Sequence, residues 1–195
     1  MLENLKIKLL EIAQTAEELG FCKYKSGNFS IREGKYILIT PSGIQRSKMT
    51  TKDICVMDID GTILEISDHL KPSSEYPMHL EIYKSRPALR AIVHTHSKFA
   101  TSFAVANKEI LPVVAEAKLI FEKDGIARVA PFAQPGTAEL ALNTADILKN
   151  YNVCLMEKHG AVTVSEKDID DAFLKTQYLE EVAEIYYYSL NIMNK

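Results

Sequence analysis

Two histidines one residue apart, His94-Thr95-His96, follow the apolar run Ala91-Ile92-Val93, and a third, His159, stands before Gly160 far downstream. Side chains alternate along a strand, so His94 and His96 project from the same face of one rigid element. Two imidazoles held in this way need only a third ligand, and His159 is placed to supply it. Three protein ligands and a free position describe a catalytic zinc site rather than a closed structural one. Glu75 is the carboxylate of interest. Beside a metal it can ligate or act as a general base, and partial desolvation is expected to raise its pKa towards neutrality. Read alone, it is a first-turn glutamate complementing a helix dipole.

A second group of residues suits an anion. Ser26-Gly27-Asn28, Ser42-Gly43 after Pro41, and Ser73-Ser74 at a helix start are small polar turns in the same half of the chain as the histidine strand. Glycine lets backbone N–H groups approach a ligand, Ser and Asn add neutral donors, and a helix N-terminus attracts negative charge. The expectation is a phosphate site without a formal positive charge.

The elements that must position these residues alternate between strands and helices. Leu5, Leu9, Ile12, Ala13, Ala16 and Leu19 recur at helical spacing before Gly20. Short strands are predicted at 29–31 and 36–40, and at 54–59 and 62–66 around Asp60-Gly61, a hairpin signal. A helix is expected from Ser73 to about Ser85, then a strand at 91–95 and helices at 99–106 and 113–122. The rest reads as a short strand at 129–130, a helix at 137–148, strands at 153–156 and 161–164, and a closing helix from about 167 to 190. The hairpin demands antiparallel pairing. The expected architecture is therefore a three-layer α/β/α domain with a central mixed, largely antiparallel sheet, spanning residues 1–195 as one unit.

Composition narrows the function classes. The 195 residues carry a formal charge of −3 and 47% apolar side chains, which gives no basic footprint for nucleic acid. Cys22, Cys55 and Cys154 are scattered in apolar surroundings, as expected of reduced thiols in a cytoplasmic protein. The opening residues lack a signal-peptide pattern, and no apolar stretch is long enough to cross a bilayer. Neither nucleic acid nor membrane is expected as a partner.

Ser26-Gly27-Asn28-Phe29-Ser30, Ile39-Thr40-Pro41-Ser42-Gly43, Lys71-Pro72-Ser73-Ser74-Glu75, Val93-His94-Thr95-His96-Ser97 and Lys158-His159-Gly160 together resemble the zinc-dependent class II aldolase/epimerase family. The similarity is greatest to the L-fuculose-phosphate aldolase branch and covers nearly the whole chain. It implies one Zn2+ per subunit held by His94, His96 and His159, with Glu75 as acid/base and as a ligand when substrate is absent. Gly27, Asn28, Ser42, Gly43, Ser73 and Ser74 match the phosphate-binding positions. The implied reaction is retro-aldol cleavage of a ketose 1-phosphate to dihydroxyacetone phosphate and a small aldehyde, in a cytoplasmic homotetramer with active sites at subunit interfaces.

Relatives within the family catalyse pentulose-phosphate 4-epimerisation or methylthioribulose-1-phosphate dehydration, and the adducin head keeps the fold as an interaction module. Where the fuculose-phosphate branch places a tyrosine from a neighbouring subunit, this chain reads Ala115-Glu116-Ala117-Lys118. Glu116 either takes that place and handles the proton on the C4 hydroxyl or is a solvated glutamate on the helix surface. The C-terminal tail tyrosine of that branch also has no counterpart after Tyr186-Tyr187-Tyr188. His79, one helical turn after Glu75, matches a histidine of the aldolases and is expected to support the site rather than ligate.

Overall fold

The computed structural model describes residues 2–193. Eight strands form one sheet in the order β4-β3-β2-β1-β5-β8-β7-β6. They are β1 (Asn28–Glu33), β2 (Tyr36–Ile39), β3 (Cys55–Asp58), β4 (Ile63–Glu65), β5 (Ala91–Thr95), β6 (Arg128–Ala130), β7 (Val153–Met156) and β8 (Gly160–Ser165). Every neighbouring pair is antiparallel except β6 with β7, so the sheet is mixed and largely antiparallel as expected.

Among the described residues six α-helices cover its two faces: α1 (Leu2–Glu18), α2 (Tyr76–Ser85), α3 (Lys98–Val105), α4 (Ala115–Phe121), α5 (Ala138–Leu148) and α6 (Ile169–Met193). The period-2 pattern of each strand decides which helix it meets. Ile37, Ile39, Ile92, Val162 and Val164 pack beneath α2 and α5, against Met78, Ile82, Tyr83, Leu140 and Leu148. The intervening Leu38, Ala91 and Val93 face α1 and the start of α6, against Leu9, Ile12, Ala16 and Phe173. Val153, Leu155 and Ala161 meet α3, α4 and the rest of α6 through Phe103, Phe121, Leu179 and Val182. Among the described residues no helix is long and apolar enough to cross a membrane, and Cys22, Cys55 and Cys154 are buried and unpaired.

Several boundaries differ from expectation. Helix α2 starts at Tyr76, with Glu75 as its N-cap and Ser73 and Ser74 in the preceding turn. Pro77 falls in the first turn, where its missing N–H costs no helical bond. Strand β5 keeps its expected bounds, so His96 lies just beyond the strand rather than on it with His94, and its N–H donates to Phe21 O at 3.0 Å. Helix α4 is confined to Ala115–Phe121. The β3–β4 turn closes over four residues because the Asp58 carboxylate accepts from the N–H groups of Asp60 (3.0 Å) and Thr62 (2.9 Å). Two single 3-10 turns, Arg46–Lys48 and Thr51–Asp53, link β2 to β3 and have no periodic signature.

Candidate active site

Strand register brings the site together. Asn28 pairs with His94, and Ser30 with Ile92, across β1 and β5. All four therefore share the sheet face that meets α2. Glu75 at the N-cap of α2 and His79 and Tyr83 within it recur every four residues along one stripe. His159 enters from the β7–β8 turn, where its N–H donates to Met156 O at 3.0 Å. The following glycine is required by crowding. A Cβ on Gly160 would lie 2.5 Å from Thr95 O, 3.0 Å from His96 Cδ2 and 3.1 Å from His94 Cε1.

The three imidazoles surround one point, with a ligating nitrogen from each lying within 4.8 Å of the others. His94 Nδ1 lies 3.0 Å from Ala161 O and donates to it, which leaves the Nε2 lone pair facing the cluster. His96 Nε2 lies 3.0 Å from that atom. Burial, reinforced by the neighbouring His94, lowers the pKa of His96 to about 3 and that of His159 to about 4. The imidazoles of His96 and His159 are thus kept neutral, the form that binds a metal. His159 Nδ1 and Glu75 Oε1 are buried without a hydrogen-bond partner among the described residues. Three ring nitrogens converging beside an unsatisfied carboxylate oxygen fit a divalent cation that accepts nitrogen donors, zinc among them.

Glu75 faces this cluster. Its Oε2 lies 3.2 Å from His94 Nε2 and its Oε1 3.2 Å from His159 Nε2. The expected upward pKa shift is overturned. Burial does push the carboxyl up, but His94, His159 and the Asn28 amide outweigh it and hold the group well below the usual carboxylate range.

A chain of hydrogen bonds supports the carboxylate from behind. Asn28 Nδ2 donates to Glu75 Oε2 at 2.8 Å, so Asn28 Oδ1 must accept from His79 Nε2 at 2.6 Å. His79 Nδ1 then accepts from Ser30 Oγ (2.7 Å), which accepts from the Tyr83 hydroxyl (2.9 Å). Both ring nitrogens of His79 are used internally, so His79 supports the site, as expected. Ser30 and Tyr83 were not singled out by the sequence, although the four-residue spacing from Glu75 to Tyr83 was visible in it.

The polar turns meet on the other side of the same cavity. This cavity, about 300 Å³, is lined by Ser26, Gly27, Asn28, Ser42, Ser73, Ser74, Glu75, His96 and His159. Two turns are zipped together, with Ser42 N–H donating to Lys71 O (2.9 Å) and Ser73 N–H to Thr40 O (3.2 Å). Gly27 has φ +75, and a Cβ there would lie 2.4 Å from Cys22 Sγ. Gly43 takes φ +80 in the adjoining turn. One expectation needs correction, because the cavity is not free of positive charge: exposed Lys25 and buried Arg46 also line it, with Pro135. No motif around Arg46 announced this.

Glu116 is not brought to the histidines of its own chain. It is exposed on α4 and borders a different cavity with Val114, Tyr178, Glu181, Val182 and Ile185. Helix α4 packs on the sheet face opposite α2, which separates it from Glu75.

With this geometry established, known proteins offer close parallels. Residues 7–187 match the family model described as Class II Aldolase and Adducin N-terminal domain. An L-fuculose phosphate aldolase of Methanococcus maripaludis is 40% identical over 166 residues, covering 85% of this chain and 87% of that protein. A 5-methylthioribulose-1-phosphate/5-deoxyribulose-1-phosphate aldolase of Rhodospirillum rubrum is 33% identical, covering 96% and 82%. Among solved structures, an L-fuculose 1-phosphate aldolase superposes with a TM-score of 0.89 at 31% identity, covering 97% of this chain and 87% of that one. The extent of these matches, on top of the shared fold, makes this chain a member of the class II aldolase and adducin N-terminal domain family.

Proposed function

We propose that this protein is a metal-dependent aldolase that cleaves a ketose 1-phosphate into dihydroxyacetone phosphate and a small aldehyde. The observation that carries this reading is the single cavity in which Glu75, His96 and His159, with His94 buried in the same cluster, face Ser26–Asn28, Ser42 and Ser73–Ser74. His94, His96 and His159 are the proposed ligands of one zinc ion, with Glu75 able to complete the set before substrate enters. When bound, the ion supplies Lewis-acid stabilisation of the charge that cleavage leaves on substrate oxygens.

The remaining work falls to the chain. Gly27, Asn28, Ser42, Gly43, Ser73 and Ser74 hold the phosphate and so fix C3 near Glu75. The C3–C4 bond breaks as the C4 hydroxyl loses its proton and becomes the aldehyde, its electron pair passing to C3. Glu75, moved off the histidines by the substrate and protonated from solvent, delivers that proton to C3; in condensation the same carboxylate removes a proton from C3 and returns it to solvent. Glu116 remains our proposal for the C4 hydroxyl proton, supplied from a neighbouring copy in a homotetramer. A Glu116→Ala variant with unchanged kinetics removes it from the reaction.

The Rhodospirillum rubrum relative bears on substrate size, since its name specifies five-carbon 1-phosphates. The test is release of dihydroxyacetone phosphate from L-fuculose 1-phosphate and 5-deoxyribulose 1-phosphate, with and without chelator. Chelator-sensitive release is expected, and the preferred substrate defines the aldehyde end. Absence of release from metal-loaded protein would redirect the assignment to epimerase or dehydratase chemistry at the same centre. Failure to retain metal at all would point to an adducin-like interaction module. We further propose that residues 1–195 form one cytoplasmic class II aldolase domain.

A further inference from the structure

Arg46 is 2% exposed, yet it forms no ion pair with a carboxylate among the described residues. Glu17, on α1, comes near but spends its Oε2 on the Ser47 N–H at 2.7 Å. The guanidinium instead donates to backbone carbonyls: Ile44 O at 3.1 Å, Ser26 O at 3.3 Å, Lys25 O at 3.5 Å, and Gly27 O in a short contact. It also reaches Met49 Sδ at 3.7 Å, while its Nε–H is buried without a partner. A buried cation served only by neutral acceptors is electrostatically incomplete, because burying charge is costly unless an opposite charge balances it.

The partners of Arg46 include three consecutive carbonyls of the turn that borders the cavity. In a planar trans peptide the C=O and the following N–H point in opposite directions. Drawing the carbonyls of Lys25, Ser26 and Gly27 to one guanidinium therefore turns the N–H groups of Ser26, Gly27 and Asn28 away from it. That of Ser26 is used by Lys23 O at 3.1 Å. Asn28 stands in the β1–β5 ladder opposite His94, so of the three the Gly27 N–H is left to face an anion, with the Arg46 charge behind it.

We propose that Arg46 is the positioning residue of the anion pocket: its fork shapes the Lys25–Asn28 turn, and its charge is balanced by the phosphate of the substrate. This rests on the phosphate assignment made above. The two arms of the guanidinium divide the work, Nη2 holding the Lys25–Gly27 carbonyls and Nη1 reaching Ile44 O and Met49 Sδ; a lysine ammonium keeps the charge without this fork.

The test is calorimetric titration of inorganic phosphate into the metal-loaded full chain, the Arg46→Gln variant and the Arg46→Lys variant, with metal content and circular dichroism as controls. Arg46→Gln should weaken phosphate binding about tenfold or more, the scale of one charge-assisted contact, with Arg46→Lys in between. The KM for the ketose 1-phosphate should rise by the same factor while kcat changes less. A folded, metal-loaded Arg46→Gln protein within twofold of the parent overturns the role of Arg46 and leaves the phosphate site standing. A parent protein that binds no phosphate overturns the phosphate reading and this inference with it. Should Arg46→Gln fail to fold, Arg46→Lys decides, and parental affinity in that variant overturns the proposal.

Discussion

The cavity has two walls built on different principles. The histidine wall stands on β5, the β7–β8 turn and the N-terminus of α2, and its chemistry resides in side-chain atoms. His94 is fixed by Ala161 O, and Glu75 by the chain Tyr83–Ser30–His79–Asn28. The second wall, the anion wall of our proposal, is made of polar turns, and it is shaped by tight glycines and by Arg46 from behind. Asn28 belongs to both, since it lines the cavity and donates to Glu75. Damage to the first wall should cost chemistry, and damage to the second should cost affinity.

The largest separation between the two should come from His94→Ala or His96→Ala. Each should release the metal and lower turnover by more than the roughly 10–100-fold that losing a supporting partner of a ligand costs. Metal content and kcat, measured together, check this; a variant that stays fully active without its metal contradicts the ligand assignment. Glu75→Gln comes next, with kcat expected to drop by about 10²–10⁴ through loss of proton transfer. Phosphate affinity should be spared, and full turnover in this variant would disprove the acid/base role.

On the anion wall, Ser73→Ala should raise KM for the sugar phosphate about tenfold with little change in kcat, as for one hydrogen bond to a charged group. A fall in kcat alone would mean that the walls are not separable. The smallest effect should come from the support beneath them. Burial holds His79 neutral down to about 3, against 6.5 when exposed. Between those values the unfolded chain binds a proton that the folded chain does not, so stability falls as pH drops through this window. The slope is about 1.4 kcal/mol per pH unit for one proton. Denaturation of the metal-free chain between pH 6.5 and 4, compared with His79→Gln, should show a shallower slope in the variant; equal slopes would show that His79 does not carry this dependence.

Periodicity carried the long elements. The α1 stripe, the apolar β5 and the α5 and α6 patterns appear in the structure within a few residues of their predicted bounds, because burial of one face imposes a period that sequence displays directly. The start of α2 was less legible. Ser73 resembles a cap, but the Ser73 N–H is held by Thr40 O across the chain, so the helix begins only after Glu75. The parallel β6–β7 pair and the two 3-10 turns likewise follow from packing between distant segments.

The residue types and spacing of the proposed ligands were fixed locally, since a strand end or a tight turn presents His94, His96 and His159 wherever it lies. Grouping them was tertiary: β5 had to pair with β8 before His159 could reach His94, and Gly160 had to yield the space of a side chain. The same holds for charge. Local sequence showed neutral polar turns, whereas the cation behind them comes from a 3-10 turn that no periodicity marks. Burial of Arg46 against three carbonyls is a long-range event, and long-range contacts leave no repeat in a single chain to be read.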